Sequence, residues 1–525
     1  MSESEPSASR QIARASGVVM IGYAISSLTG LASQVLVASA FGSNLEYDSF
    51  LAGNRITELL FNLMAGGALA SAFVPTFTGF LAKNQRARAW QLASSIGNLI
   101  LIILGSISAL AAWKAPWLVQ RILAPGFTDP TQISLTIELL RIMLLSPAIF
   151  GISGILMGVL NGNQRFFLPA LAPGFYRIGI IFGVVFLSPR YGIHGLAWGV
   201  VLGASLHLVV QLPGLRKLGW RYTPNLGLKD QAVRQVGLLM APRLLGVAVV
   251  QINFLVNTIL ASAMPVGSIS AISYALALML MPQLVIAQAI AVASLPTFSA
   301  QVARKEWQEL QATFTMTLRG VLFLALPASL GLVVLRQPIV AFLFERGVFD
   351  QQSTNLVAWA LLWYAAGLVG HALLEVIVRA FYAMYDTRTP VFVGMGAMTL
   401  NILFSLVFSR WFLNMGWAPH GGLALANSLA TALEAGLLLY LMRKRLGGLQ
   451  GGRLHGTLVR MGISGTTMAL ALTLWLRLEV AVPIAVHALA GILIGGLIYW
   501  IMAWLLGIDE SRSIPAMLFR RGKQS

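Results

Sequence analysis

Short strings in the first half of the chain return in the second half at one fixed spacing. Pro75-Thr76-Phe77 returns as Pro296-Thr297-Phe298, Gly126 as Gly347, Asp129 as Asp350, and Pro169 as Pro390. Every pair is 221 residues apart (296−75, 347−126, 350−129, 390−169). A spacing held over roughly 95 residues indicates that a bundle of about six spans was duplicated. Internal repeats of this kind build alternating-access transporters.

The composition says which solvent the bundle lives in. The chain is 57% hydrophobic and only 10% charged, with a mean hydropathy of +0.78. Soluble domains carry about a quarter charged residues, so the solvent must be lipid. There is no cysteine, which excludes disulfides, thiol chemistry and Cys-ligated metals. The net charge of +18 does not signal nucleic acid. The basic residues lie in short loops between apolar spans, where they orient the chain and meet anionic headgroups. No basic stripe with interleaved aromatics exists. The histidines (His194, His207, His371, His420, His455 and His487) are scattered without metal-ligand spacing. No Gly-rich loop with Lys and Ser/Thr supports nucleotide hydrolysis. An enzyme, a metal site and a cofactor are therefore not expected.

At about 20 apolar residues per span, about fourteen transmembrane helices are expected. They fall near 17–41, 48–80, 88–113, 133–160, 166–188, 192–213, 233–262, 268–298, 310–335, 353–384, 389–412, 421–442, 456–478 and 481–506. The fold class is an all-α polytopic membrane protein. Residues 1–16 read as a disordered cytoplasmic tail, 17–213 as a first lobe and 214–232 as a cytoplasmic linker. Residues 233–445 read as a second lobe, 446–507 as two extra C-terminal helices and 508–525 as a basic cytoplasmic tail. With the N-terminus inside, cytoplasmic segments hold about 22 Lys/Arg and outer loops about 5, so both termini should be cytoplasmic. Six spans per copy is an even number, so the lobes are parallel repeats, not inverted ones.

The repeated residues have structural readings. Pro75 and Pro296, near cytoplasmic span ends, suit a kink or helix end. Gly126 and Gly347, in outer loops, suit a backbone with φ > 0. Asp48 opens the second span, where a carboxylate suits a helix N-terminus.

Several strings resemble the MurJ (MviN-type) family of lipid II flippases, within the multidrug/oligosaccharidyl-lipid/polysaccharide exporter superfamily. They are Ala70-Ser71-Ala72-Phe73-Val74-Pro75, Ala124-Pro125-Gly126-Phe127 and Leu160-Asn161-Gly162-Asn163-Gln164-Arg165-Phe166, then Gln211-Leu212-Pro213, Arg379-Ala380-Phe381-Tyr382 and Asp386-Thr387-Arg388-Thr389-Pro390. They occur in family order from about residue 17 to 445. The resemblance implies a cavity lined by spans 1, 2, 7 and 8. It implies a polyprenyl-diphosphate-linked cell-wall precursor carried from the inner to the outer leaflet of the bacterial cytoplasmic membrane. Membrane potential or an ion would drive the cycle. The implied partners are that lipid substrate, membrane lipids and cell-wall synthesis proteins, with a monomer as the default state.

Such a cargo is an anion, and Arg suits it because its fork donates two hydrogen bonds at once. A charge at mid-span costs roughly 2.5–3.5 kcal/mol on insertion scales, so those present face a cavity or a partner. Arg55 and Glu58 lie three apart on span 2, about 10 Å in from its outer end. Arg243 follows Pro242 on span 7, about 15 Å from the cytoplasmic end, where it could satisfy a carbonyl freed by the proline. Gln251, Asn253 and Asn257 follow on the same helix. Each of these serves either cargo contact or helix packing. Arg177, the pair Glu138 and Arg141, and Glu434 read as structural pairing. Glu375 and Arg379 are four apart in the favourable order.

This chain also departs from the family. The family's first span usually reads Ser-Arg-x-x-Gly-x-x-Arg. Here Ser27 and Ser33 stand at the two arginine positions, with Gln34 following. On span 2, Phe61-Asn62 replaces the usual arginine pair, and on span 8 Ala277 replaces a basic residue. The cationic cluster is thinned to Arg55 and Arg243, with Ser27, Ser33, Gln34 and Asn62 as polar company. Three readings stay open: a flippase for lipid II or a related precursor, a paralogue exporting another lipid-linked glycan or amphiphile, and a transport-inactive envelope scaffold.

Overall fold

The computed structural model describes residues 8–65, 68–449, 451–478 and 483–512. Among them the regular elements are all helical. The long helices are α1 (Ala8–Phe41), α2 (Leu45–Ala65), α3 (Ala68–Ala82), α4 (Arg86–Trp113), α5 (Pro130–Gly162), α6 (Phe167–Tyr191), α7 (Ile193–Arg216) and α8 (Gln231–Ser262). They continue with α9 (Ser268–Ala303), α10 (Trp307–Val334), α11 (Gln351–Ala383), α12 (Arg388–Asn414), α13 (His420–Arg445), α14 (Gly451–Arg477) and α15 (Ile484–Leu505).

Among the described residues, 12 helices are long and apolar enough to cross a membrane. Two shorter apolar stretches, Ile25–Phe41 and Ala72–Ala82, lie where the first two of the fourteen expected spans were placed. Ile25–Phe41 is part of α1, which runs 34 residues, and the second expected span comprises α2 and α3. Helix α1 begins at Ala8, within the expected N-terminal tail. Residues 1–7 of that tail and 513–525 of the basic C-terminal tail lie outside the described residues.

The chain divides into two compact units, Met1–Val266 with Arg346–Phe349, and Gly267–Glu345 with Asp350–Ser525. In the first unit α1 packs on α6, α2 on α5, and α8 on α2 and α3. Its core is built around Phe73, Phe77, Trp90 and Leu104. In the second unit α11 packs between α10 and α13 around Phe298, Phe314 and Phe381. Helices α14 and α15 lie against α10 through Phe323, Met461, Met468 and Tyr499. Arg319 adds ion pairs to Asp509 (3.2 Å) and Glu510 (2.7 Å) there. Large apolar side chains such as Leu470, Leu493 and Leu497 stay outside, as a lipid-facing surface requires.

The 221-residue spacing reappears in the backbone. Four non-glycine residues among those described have left-handed φ: Asn84 (56°), Gln164 (58°), Lys305 (60°) and Tyr385 (58°). They form two pairs at that spacing (305−84, 385−164). Each closes a helix with the same six-to-one hydrogen bond, from Gln85 to Phe80, Arg165 to Leu160, Glu306 to Gln301 and Asp386 to Phe381. The residue types differ within each pair, so the copies share the backbone turn rather than the side chain. Asp129 and Asp350 also do one job twice, accepting from the N–H groups of Thr131 and Ser353, each at 2.8 Å.

The two glycines of the repeat serve different needs. Gly347 has φ +63°, as expected, and packs on the Ser39 carbonyl. Gly126 lies outside the left-handed set. It is glycine because a Cβ would run into the backbone of Ser262 and Ala263, while its N–H donates to Ser262 Oγ at 3.1 Å. The expected φ > 0 is therefore corrected to close backbone approach. Pro75 and Pro296 sit inside helices that continue past them, so neither ends its helix. Pro169 and Pro390 are buried in the first turns of α6 and α12.

Candidate functional site

The first unit carries its charged centre where α2 meets α8. Arg55 donates from Nη1 to Glu58 Oε2 at 2.9 Å, the pair expected from their spacing on one helical face. From Nε it donates to Thr258 Oγ1 on α8 at 3.0 Å. Its guanidinium also lies 5.9 Å from the centre of the Phe254 ring. Thr258 gives its own proton to the Phe254 carbonyl (3.0 Å), which leaves its oxygen lone pairs for Arg55. The guanidinium is therefore held from two helices, and only Nε and Nη1 of its N–H donors are engaged among the described residues. The side chain of Arg55 is 15% exposed and that of Glu58 is 43%, so the carboxylate is the open end of the pair. The pair is neutral as a unit. An anion meeting it gains the remaining guanidinium donors and pays for the nearby carboxylate.

Arg243 stands apart. It is exposed on α8, and among the described residues no hydrogen bond or ion pair reaches it. Pro242 lies inside the continuing helix, and among the described residues Arg243 donates to no carbonyl, so the expected capture is not seen. Arg243 precedes Thr258 by 15 residues on the same helix, about 22 Å along its axis. The two arginines thus mark separate levels of the first unit rather than one cluster.

The polar residues divide likewise. Gln251 and Asn253 are buried, each 8% exposed, and Asn257 is half-buried. Asn253 and Asn257 have partners within the protein. On α1, Ser27 is exposed, Ser33 is buried and Gln34 is half-buried. Asn62 is half-buried, next to Phe61, whose ring packs 4.3 Å from that of Phe150 and 6.4 Å from that of Tyr176.

Several assignments need correcting. Asn44 caps α2, its side chain accepting from the Tyr47 N–H at 3.0 Å, and Asp48 is buried in the first turn with a partner within the protein. Glu138 and Arg141 do not pair with each other. Glu138 meets His194 at 3.0 Å, and Arg141 donates to the Ala112 carbonyl at 3.2 Å. Glu434 has no ion-pair or hydrogen-bond partner among the described residues and rests beside Gly394. Arg177 is unpaired on the same terms. Arg379 does pair with Glu375, which also accepts from Gln283 at 3.3 Å. Reading the sequence missed Thr258 and Phe254. The signal was available, since Gln251, Phe254 and Thr258 follow at i, i+3 and i+7 and share one face of α8. No group of three or more His, Asp or Glu that could hold a metal occurs among the described residues.

A sequence profile described as lipid II flippase MurJ matches residues 37–495. The lipid II flippase MurJ of Burkholderia cenocepacia is 32% identical over 429 residues, covering 80% of this chain and 82% of that protein. A solved structure, the lipid II flippase MurJ in an inward closed conformation, superposes with a TM-score of 0.79 at 25% identity, covering 94% of this chain and 99% of that one. An inward-facing MATE family transporter of the MOP superfamily shares the fold, with a TM-score of 0.68 at 15% identity over 80% of this chain and 94% of its own. A duplicated helical bundle, a charged centre inside its first unit and a profile match over most of its length place this chain in the MurJ lipid II flippase family.

Proposed function

We propose that this chain is a flippase that moves a polyprenyl-diphosphate-linked cell-wall precursor, lipid II in kind, from the inner to the outer leaflet by alternating access. The match to the family over residues 37–495 carries this reading. Arg55 supplies a cation inside the membrane span, held in place by Glu58 and Thr258 and still able to donate to a phosphate oxygen. Arg243, exposed on α8 on the cytoplasmic side of Thr258, is a further cation on the cargo's way in. The Lys/Arg asymmetry supports insertion in the cytoplasmic membrane with both termini inside. The energy source is membrane potential or an ion, and membrane lipids and cell-wall synthesis proteins are the expected neighbours of a monomer.

A second reading has its own observation. Ser27 and Ser33 bring no charge to α1, and Glu58 neutralises Arg55. A less anionic lipid-linked cargo, or a scaffold without transport, would suit so thin a cationic site. One experiment separates the readings: rescue of a bacterium depleted of its own lipid II flippase. The wild-type chain should restore growth, and Arg55→Ala and Arg243→Ala should not. No rescue at confirmed membrane expression, together with no lipid II transport in vesicles, would overturn the proposal.

A further inference from the structure

A charge of the first unit that the site has not used is Arg177. It lies ten residues into α6, about 15 Å from that helix's first residue and so near mid-span. It is half-buried, and among the described residues it makes no ion pair and no hydrogen bond. An intramembrane guanidinium without a carboxylate is expensive unless something else compensates it. Its surroundings place it at the charged centre. Its Nε lies 3.9 Å from where a Cβ on Gly30 of α1 would stand, an ordinary van der Waals contact that places it against α1. Its guanidinium carbon is 5.7 Å from the centre of the Tyr176 ring. Tyr176 in turn packs on Phe61 of α2, and Glu58 and Arg177 both lie close enough to its hydroxyl to act on it electrostatically. Glu58 is bonded to Arg55, so Arg177 is left without a carboxylate of its own among the described residues.

We infer that Arg177 is a cargo-binding residue, supplying from α6 the uncompensated cation that a diphosphate requires beside Arg55. The inference rests on the flippase reading and names the group that gives that site its net charge. A diphosphate bridging Arg55 and Arg177 would neutralise the free guanidinium, whereas a monophosphate has one phosphoryl group fewer to share between them. Arg177 should therefore set the preference for diphosphate over monophosphate more than overall affinity for the lipid.

The test uses the full chain in phosphatidylcholine nanodiscs, with undecaprenyl diphosphate and undecaprenyl monophosphate as probes. The wild type should prefer the diphosphate. Arg177→Gln should lower diphosphate affinity roughly tenfold and change monophosphate affinity little. Arg177→Lys should keep most of the preference. Ser27 is exposed on α1 and one turn from Gly30, so Ser27→Arg placed in the Arg177→Gln background should restore it. A merely structural arginine would not be rescued from another helix. An unchanged preference in a stable Arg177→Gln variant would overturn the inference, as would equal losses for both lipids with no rescue by Ser27→Arg. In either case a wild type that binds and transports leaves the flippase reading standing. A wild type that neither binds the diphosphate nor transports lipid II sinks both.

Discussion

The two copies of the repeat kept the same turns and parted over charge. Asn84 and Lys305, and Gln164 and Tyr385, hold one backbone conformation with unrelated side chains. At the functional level the copies diverge. Arg55 corresponds to Leu276, Arg177 to Met398 and Glu58 to Met279, each 221 residues on. Helix ends must satisfy their carbonyls wherever they occur, so that demand survives duplication. A charge in a span is costly, so duplication alone does not keep it at equivalent places: Arg55, Glu58 and Arg177 belong to the first copy, while Thr258 and Phe254, which hold Arg55, come from α8, the first helix of the second. Duplication supplied the frame twice, and the charges were placed differently in each copy.

That asymmetry can be broken by experiment. Arg55→Ala should lower lipid II transport at least about tenfold, because it removes the guanidinium and leaves Glu58 unpaired. Leu276→Ala at the corresponding place should stay within about twofold in a transport assay. Equal losses would mean that the copies share the chemistry after all.

The glycine pair should respond alike for unlike reasons. Gly126→Ala and Gly347→Ala should each cost about 1–3 kcal/mol, the first from backbone collision and the second from collision plus left-handed strain. Melting of the purified protein reads both.

At one turn, a pH effect should belong to the second copy alone. Asp386 accepts from the Thr389 hydroxyl and N–H and pairs with Arg445, which holds its carboxyl down at about 2. Its counterpart is Arg165, which cannot titrate this way. A depressed carboxylate stabilises the fold above its unfolded value of about 3.9, and that contribution disappears as pH falls toward 2. Asp386→Asn should therefore lower the melting temperature at neutral pH and flatten its decline between about pH 4 and pH 2. An Arg165→Gln control should leave that limb unchanged.

The smallest effects concern the shared turns. Lys305→Gly and Tyr385→Gly should be neutral or stabilising by up to about 1 kcal/mol, since glycine takes a left-handed φ without strain. Asn84→Gly should gain less, because asparagine already tolerates that region. Chemical unfolding of the three variants would rank them.

Much of this was legible from residues alone. The 221-residue period announced a duplicated bundle, and composition assigned it to lipid. The Arg55–Glu58 pair followed from a three-residue spacing on one helix. The Glu138–Arg141 pair seemed to follow as well and failed, because His194 and the Ala112 carbonyl come from other helices. Local spacing lists the partners available within a helix. It says nothing of better ones arriving from elsewhere.

The sequence by itself determined the solvent, the repeat and the residue types at the charged centre, because hydrophobicity, period and identity are properties of the chain. Only the tertiary structure decided that Thr258 and Phe254 hold Arg55 across 203 and 199 positions of chain (258−55, 254−55), that Arg243 stands clear of them, and that Arg177 comes against Gly30. Each depends on which faces of two helices meet. That choice is set by packing of whole surfaces, and no stretch of one helix contains it.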